Sequence, residues 1–278
     1  MKQYHHCRTC AMVLLLCGAA VLNMSCVFVP AEENKTLSKD GLTLVWSDEF
    51  NSGSVPSTSD WSYEIWNPGY VNNEKQYYVQ NADNAYVSDG TLKIKALKDS
   101  SGKWTSARIN TYGHHSFTYG YIEARIKMPA GNGVWPAFWM MPENSAYGTW
   151  PASGELDIME YSPATQGTKV FSTVHHSKSA AAKTTDAYSS LGSISISDAA
   201  TAFHTYGMRW TDQYIETFYD DTSLGKKYYN DGNGWVNWPY DKPFHIILNL
   251  AMGGTLGGTI DSSLTSATYE IDYVRVYQ

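Results

Sequence analysis

Tyr121-Ile122-Glu123-Ala124-Arg125-Ile126-Lys127 alternates apolar and polar residues without a break. On a strand of period two, Ile122, Ala124 and Ile126 share one face, and Glu123, Arg125 and Lys127 share the other. The first face is packed, and the second is expected to meet solvent or ligand. Working outward, residues 91–96, 169–175, 214–219, 244–250 and 269–277 are further short runs rich in β-branched and aromatic side chains, separated by turn residues. No stretch carries a convincing helical period. So many strands in one long, repeat-free region predict an all-β protein built as two stacked antiparallel sheets, a sandwich or jelly roll. The glycine-rich pieces at 131–133 and 253–258 lack the strand-to-helix setting of a phosphate cradle and read as loops.

Of 278 residues, 43% are hydrophobic and 17% charged, enough to bury a large core and unlike a disordered chain or coiled coil. A formal charge of -7 argues against nucleic acid as a partner. The 10 Trp and 21 Tyr exceed what a core needs, and flat rings suit the faces of neutral sugars. All four cysteines, Cys7, Cys10, Cys17 and Cys26, precede residue 27, which leaves the body without a disulfide framework or a Cys-based zinc site. Residues 1–26 are read as a signal peptide, because Lys2 and Arg8 precede an apolar run at 11–22 that is short for a membrane span. Ser25 before Cys26 resembles a bacterial lipoprotein processing site, with Cys26 as the lipidated residue and an outer-membrane-anchored location. Residues 27–40 are read as a tether and 41–278 as one domain, expected to be a monomer that meets the membrane only through that lipid.

Gly154-Glu155-Leu156-Asp157-Ile158-Met159-Glu160-Tyr161 places three acids within six positions of a strand-like run. Regular alternation puts Glu155 and Asp157 on one face and sends Glu160 inward with Leu156 and Ile158. Burying an unpaired carboxylate there is costly, so a β-bulge is predicted near Ile158-Met159 that returns Glu160 to the face of Glu155 and Asp157. The two glutamate Cα atoms then lie roughly 13 Å apart, and their side chains can bring the carboxyls to about 5.5 Å, the separation for retaining glycoside hydrolysis. Asp157 between them can share a proton and hold the glutamates in different charge states. The plainer alternative is a solvated acidic edge strand, which the interleaved core aliphatics and the flanking Trp135, Trp139 and Trp150 argue against.

This segment resembles the ExDxxE signature of glycoside hydrolase family 16, laminarinase-like branch, and the similarity extends from Trp46-Ser47-Asp48-Glu49-Phe50 to Ile271-Asp272-Tyr273-Val274-Arg275-Val276-Tyr277. The resemblance implies a β-jelly roll with a concave cleft that grips a β-glucan chain, with Glu155 as nucleophile, Asp157 as its helper and Glu160 as acid/base. A related lichenase branch carries its second glutamate one residue earlier, where Met159 stands here. By the same resemblance Trp135 and Trp139 border the bound sugars, Arg108, Asn73 and Glu74 are cleft residues, and His175 lies near the acid/base while His176 faces away. No cofactor is implied for catalysis. A structural calcium is implied, from a side-chain or backbone oxygen of Glu49, the carbonyl of Gly90 and Asp272. The expected activity is a retaining endo-β-glucanase on β-1,3- or mixed β-1,3/1,4-glucan. The alternatives are a galactanase of the agarase or carrageenase kind and a non-catalytic glucan-binding lectin.

Overall fold

Ile122, Ala124 and Ile126 are fully buried between two sheets, as the alternation of their strand requires. The computed structural model describes residues 38–39 and 41–278, so the expected signal segment, Cys26 and most of the tether lie outside the described residues. In chain order the strands are β1 (Ser38–Lys39), β2 (Leu42–Asp48), β3 (Ser62–Tyr63), β4 (Gln76–Tyr78), β5 (Ala85–Ser88), β6 (Thr91–Lys98), β7 (Trp104–Ser106), β8 (Arg108–Asn110) and β9 (Gly120–Lys127). They continue as β10 (Val134–Pro142), β11 (Glu155–Tyr161), β12 (Lys169–Ser177), β13 (Asp186–Ser195), β14 (His204–Trp210), β15 (Tyr214–Tyr219), β16 (Thr222–Tyr229), β17 (Phe244–Met252) and β18 (Ser266–Tyr277). Single helical turns at Pro163–Gln166 and Gly254–Gly257 complete the list.

The strands form the expected jelly roll of two sheets. One sheet runs β13-β12-β11-β10-β17-β8-β3, and the other runs β16-β15-β14-β9-β18-β6-β7-β4, with β2 on β18, β1 on β2 and β5 on β6. The described pairings are antiparallel save β4 with β7, which is parallel, a small departure from the two purely antiparallel sheets expected. Phe138 and Met140 of β10, Leu156 and Met159 of β11 and Leu248 and Leu250 of β17 face Tyr269, Ile271 and Val274 of β18 across the core. Each such side chain contributes about 1.5–3 kcal/mol by leaving water.

The outer face of β9 departs from the sequence reading. Glu123 is 3% exposed rather than solvated, because Lys39 of β1 reaches it at 2.6 Å and also pairs with Asp221. Burial opposes the Lys39 charge, but its carboxylate partners prevail and push its pKa up. β1 therefore lies within the stretch assigned to the tether, and the folded region begins before residue 41. Beside it the Tyr121 ring lies against Gly207, where a Cβ would fall 2.3 Å from the phenol oxygen, so only glycine admits this packing.

Candidate active site

Gly154 opens β11 at φ +87°, and a Cβ there would fall 2.8 Å from the Tyr240 ring. The chain thus enters β11 pressed against Tyr240, whose hydroxyl donates to the His175 carbonyl at 2.7 Å and locks β11's neighbour in place. Along β12, Glu155 pairs with His175, Asp157 with Thr173 and Glu160 with Phe171. Ile158 and Met159 together oppose Ser172 alone, and on the other side β10 pairs Trp139 with Asp157 and Phe138 with Met159. This is the bulge expected at Ile158-Met159. It changes the phase of the strand by one residue, keeps Ile158 and Met159 in the core, and places Glu160 on the face turned away from the core with Glu155 and Asp157.

Each glutamate is held by a tryptophan. The Trp150 Nε1–H donates to Glu155 at 2.6 Å, and the Trp135 Nε1–H donates to Glu160 at 2.9 Å. Asp157, 3% exposed, has its Oδ2 3.2 Å from Nε2 of His175, whose Nδ1 sits 3.0 Å from both oxygens of Asp186. Burial raises the pKa of all three acids, and mutual repulsion adds to it: Asp157 acts on Glu155, and Glu160 on Asp157. Glu160 is pushed up to about 7 by burial, despite the Trp135 N–H that favours its anion. Burial opposes the charge of His175, but its bond to Asp157 and the surrounding carboxylates raise it to about 10. The cluster therefore crowds three carboxyls of raised pKa against an adjacent imidazolium, whose charge, together with the Trp150 N–H, favours the Glu155 anion that nucleophilic attack requires.

β10 sends both Trp135 and Trp139 to the same side as the acids and Phe138 into the core, so neither tryptophan is a core residue. The Trp139 Nε1–H donates to Asn249 at 2.7 Å, and Asn249 donates to the Tyr78 hydroxyl at 3.0 Å. The Arg108 guanidinium lies between the rings of Trp66 and Trp139, 4.3 and 4.6 Å from their centroids, and its Nε is 3.0 Å from Glu64. The arginine expected in the cleft is thus held on both sides by rings and neutralised by a carboxylate. Asn73 is exposed in the left-handed region, whereas Glu74 is 7% exposed and receives the Gln76 side-chain N–H at 2.7 Å. His176 faces away from the cleft and stacks on Tyr228.

The expected calcium donors divide. Both Glu49 carboxylate oxygens are taken by Arg275, at 2.8 and 2.9 Å, which removes the Glu49 side chain from the set. Oδ2 of Asp272 is held by Arg125 at 2.7 Å. A cation at that edge would draw on Oδ1 of Asp272 and the backbone carbonyls of Glu49 and Gly90, an all-oxygen set that suits calcium. In the cleft, ligand atoms of Glu155, Asp157 and His175 lie within 4.8 Å of one another, but an imidazolium has no lone pair to offer a metal.

Sequence reasoning left Trp150, Asp186, Trp66, Glu64 and Asn249 without roles. Asn249 carried a signal, being the one amide within the apolar run of β17, where a buried polar group needs partners. Asp186, Trp66 and Glu64 are fixed by contacts with residues on other strands that no local pattern encodes, and Trp150 by its bond to Glu155 five residues further on.

Comparison with known proteins agrees with this geometry. A family model described as glycosyl hydrolases family 16 matches residues 72–275. The chain is 40% identical over 253 residues to the beta-glucanase of Rhodothermus marinus, covering 84% of this chain and 85% of that one. It is 31% identical to the endo-1,3-1,4-beta-glycanase EglC of Rhizobium meliloti (strain 1021), covering 87% of this chain but 53% of that longer protein. The solved laminarinase from Rhodothermus marinus superimposes with a TM-score of 0.77 at 39% identity, over 84% of this chain and 96% of that one.

Proposed function

The chain belongs to glycosyl hydrolase family 16, and on that premise we infer that it is a retaining endo-β-glucanase cutting internal linkages of β-1,3- and mixed-linkage β-1,3/1,4-glucan. The observation that carries this reading is the bulge that brings Glu155, Asp157 and Glu160 to one face. Ionised Glu155 attacks the anomeric carbon while the bond to the leaving chain breaks, and the leaving oxygen takes the proton of Glu160. Asp157 shares a proton with Glu155 and moderates its charge; the His175 imidazolium offsets the remaining negative charge. Water then attacks the glycosyl ester, Glu160 takes the water proton, and Glu155 is released as a carboxylate. Trp135 and Trp139 supply ring faces along the groove, with Arg108, Asn73, Glu74 and His175 as its polar contacts.

A neutral polymer suits a cleft whose arginine is already matched by Glu64, whereas a sulfated galactan calls for an unmatched cation. Product analysis on laminarin, barley glucan, lichenan and agarose tests the assignment. Short β-anomeric oligosaccharides from the glucans are expected, and α-anomeric first products, or cleavage of agarose alone, would overturn it.

Two further elements belong to the same reading. Export with lipidation at Cys26 is supported by the apolar run at 11–22 and the Ser25-Cys26 pair. Cys26→Ala is expected to move the enzyme from the membrane fraction to the soluble fraction; unchanged fractionation counts against an anchor. A structural calcium on Asp272 and the carbonyls of Glu49 and Gly90 is supported by their oxygen chemistry. Adding calcium after chelation is then expected to raise Tm by about 2–4 °C with kcat unchanged, and an unmoved Tm counts against it. The protein is proposed to act as a monomer.

A further inference from the structure

The core-facing row of β12 reads Val170, Ser172, Val174, all at most 1% exposed. A hydroxyl is out of place between two valines on a face packed against apolar side chains. Its partner explains it: the Ser172 hydroxyl donates to the carbonyl of Ile158 at 2.6 Å. That carbonyl belongs to the bulge, where Ile158 and Met159 share the single opposing residue Ser172. A bulge disturbs the ladder and turns a backbone acceptor away from its usual cross-strand donor, and a buried acceptor without a partner would favour straightening the strand. The serine side chain gives that carbonyl a donor of its own. The same residue is also where β12 changes register against β13, since Ser172 pairs with Gly192 and Thr173 with Ser190. Three adjacent strands thus have their irregularities aligned at Ser172.

We propose that Ser172 is a positioning residue for Glu160, acting through the Ile158 carbonyl to hold the bulge that keeps this carboxyl beside Glu155. It touches neither substrate nor reacting atoms. Its effect passes through two residues of backbone, from the pinned carbonyl to the side chain bonded to Trp135. The role deepens the hydrolase reading and rests on Glu160 as acid/base.

The test compares Ser172→Ala, Ser172→Thr and Ser172→Val in the full protein. Thr and Val have nearly the same shape, so their difference isolates the hydroxyl. With Ala and Val, kcat on laminarin is expected to fall about 10- to 100-fold with KM nearly unchanged, the size of effect produced by a displacement of about 1 Å. Thr is expected to restore most of kcat. Carboxyl ¹³C titration of Glu160, which requires no substrate, is expected to move down toward the ordinary carboxylate range in Ala and Val and to stay in place in Thr. Wild-type kcat and an unmoved Glu160 titration in folded Ala would overturn the proposal even if Tm fell, because hydrogen bonding alone would then be the serine's role. Should Thr and Val both fail to fold, the Ala variant decides by the same two readouts. Wild-type enzyme inactive on every glucan would instead overturn the parent reading, and the Glu160 titration would still report on positioning.

Discussion

Glu155→Gln is expected to lower laminarin hydrolysis by about 10⁴-fold or more while glucan binding survives, the loss typical of removing a residue that acts as one unit with its partners. The amide keeps the shape of the carboxyl, so the bond from Trp150 and the tryptophan-lined groove remain in place for sugar. What disappears is the anion that would bond to the anomeric carbon. Initial rates and affinity electrophoresis on the same glucan separate the two effects, and unchanged hydrolysis would refute the assignment. Stability is expected to move the other way. Burial and like charge raise the Glu155 pKa above its unfolded value, so its ionisation works against folding as pH rises through the interval between those values. The glutamine variant should therefore lose less stability than wild type on the alkaline side, which thermal unfolding at two pH values measures.

Glu160→Gln is expected to lower glucan hydrolysis by about 10²- to 10⁴-fold, the usual contribution of a general acid. Its signature is dependence on the leaving group. An aryl β-glucoside with a good leaving group needs no proton on departure, so it should still glycosylate Glu155 and release a burst of phenol. The subsequent water attack, deprived of its base, should then be slow. The pH profile carries the second signature. Glu160 must be protonated to act, and burial pushes its pKa up from the ordinary carboxylate range, so wild-type activity should persist to higher pH than an exposed acid allows and then fall as Glu160 loses its proton. That alkaline limb should vanish in the glutamine variant, and a limb that persists would assign it to another group.

The part of this arrangement that was legible in the sequence followed from cost. Glu160 in an apolar row could not stay there, so a bulge had to intervene, and the register of β11 against β10 and β12 contains it. The strand runs were legible for a similar reason, since period two with one apolar face admits little else. Hidden from the sequence were contacts whose partners lie far along the chain. Lys39 covers Glu123 from 84 residues away, and Trp66 closes over Arg108 across a loop. His175 was expected near the acid/base, whereas it pairs across the strands with Glu155 and bonds Asp157, and Asp186, which makes it a relay between two carboxylates, sits one strand further out with nothing local to mark it.

The strands on either side of β11 already count one residue fewer than β11 does, since Trp139 and Phe138 answer Asp157 and Met159, and Thr173 and Phe171 answer Asp157 and Glu160. Loss of one codon at 158 or 159 would therefore leave a straight ribbon with parity intact, and the second glutamate would still emerge toward the sugar. A deletion that scrambles most strands is, at this one place, an open road between two versions of the same chemistry.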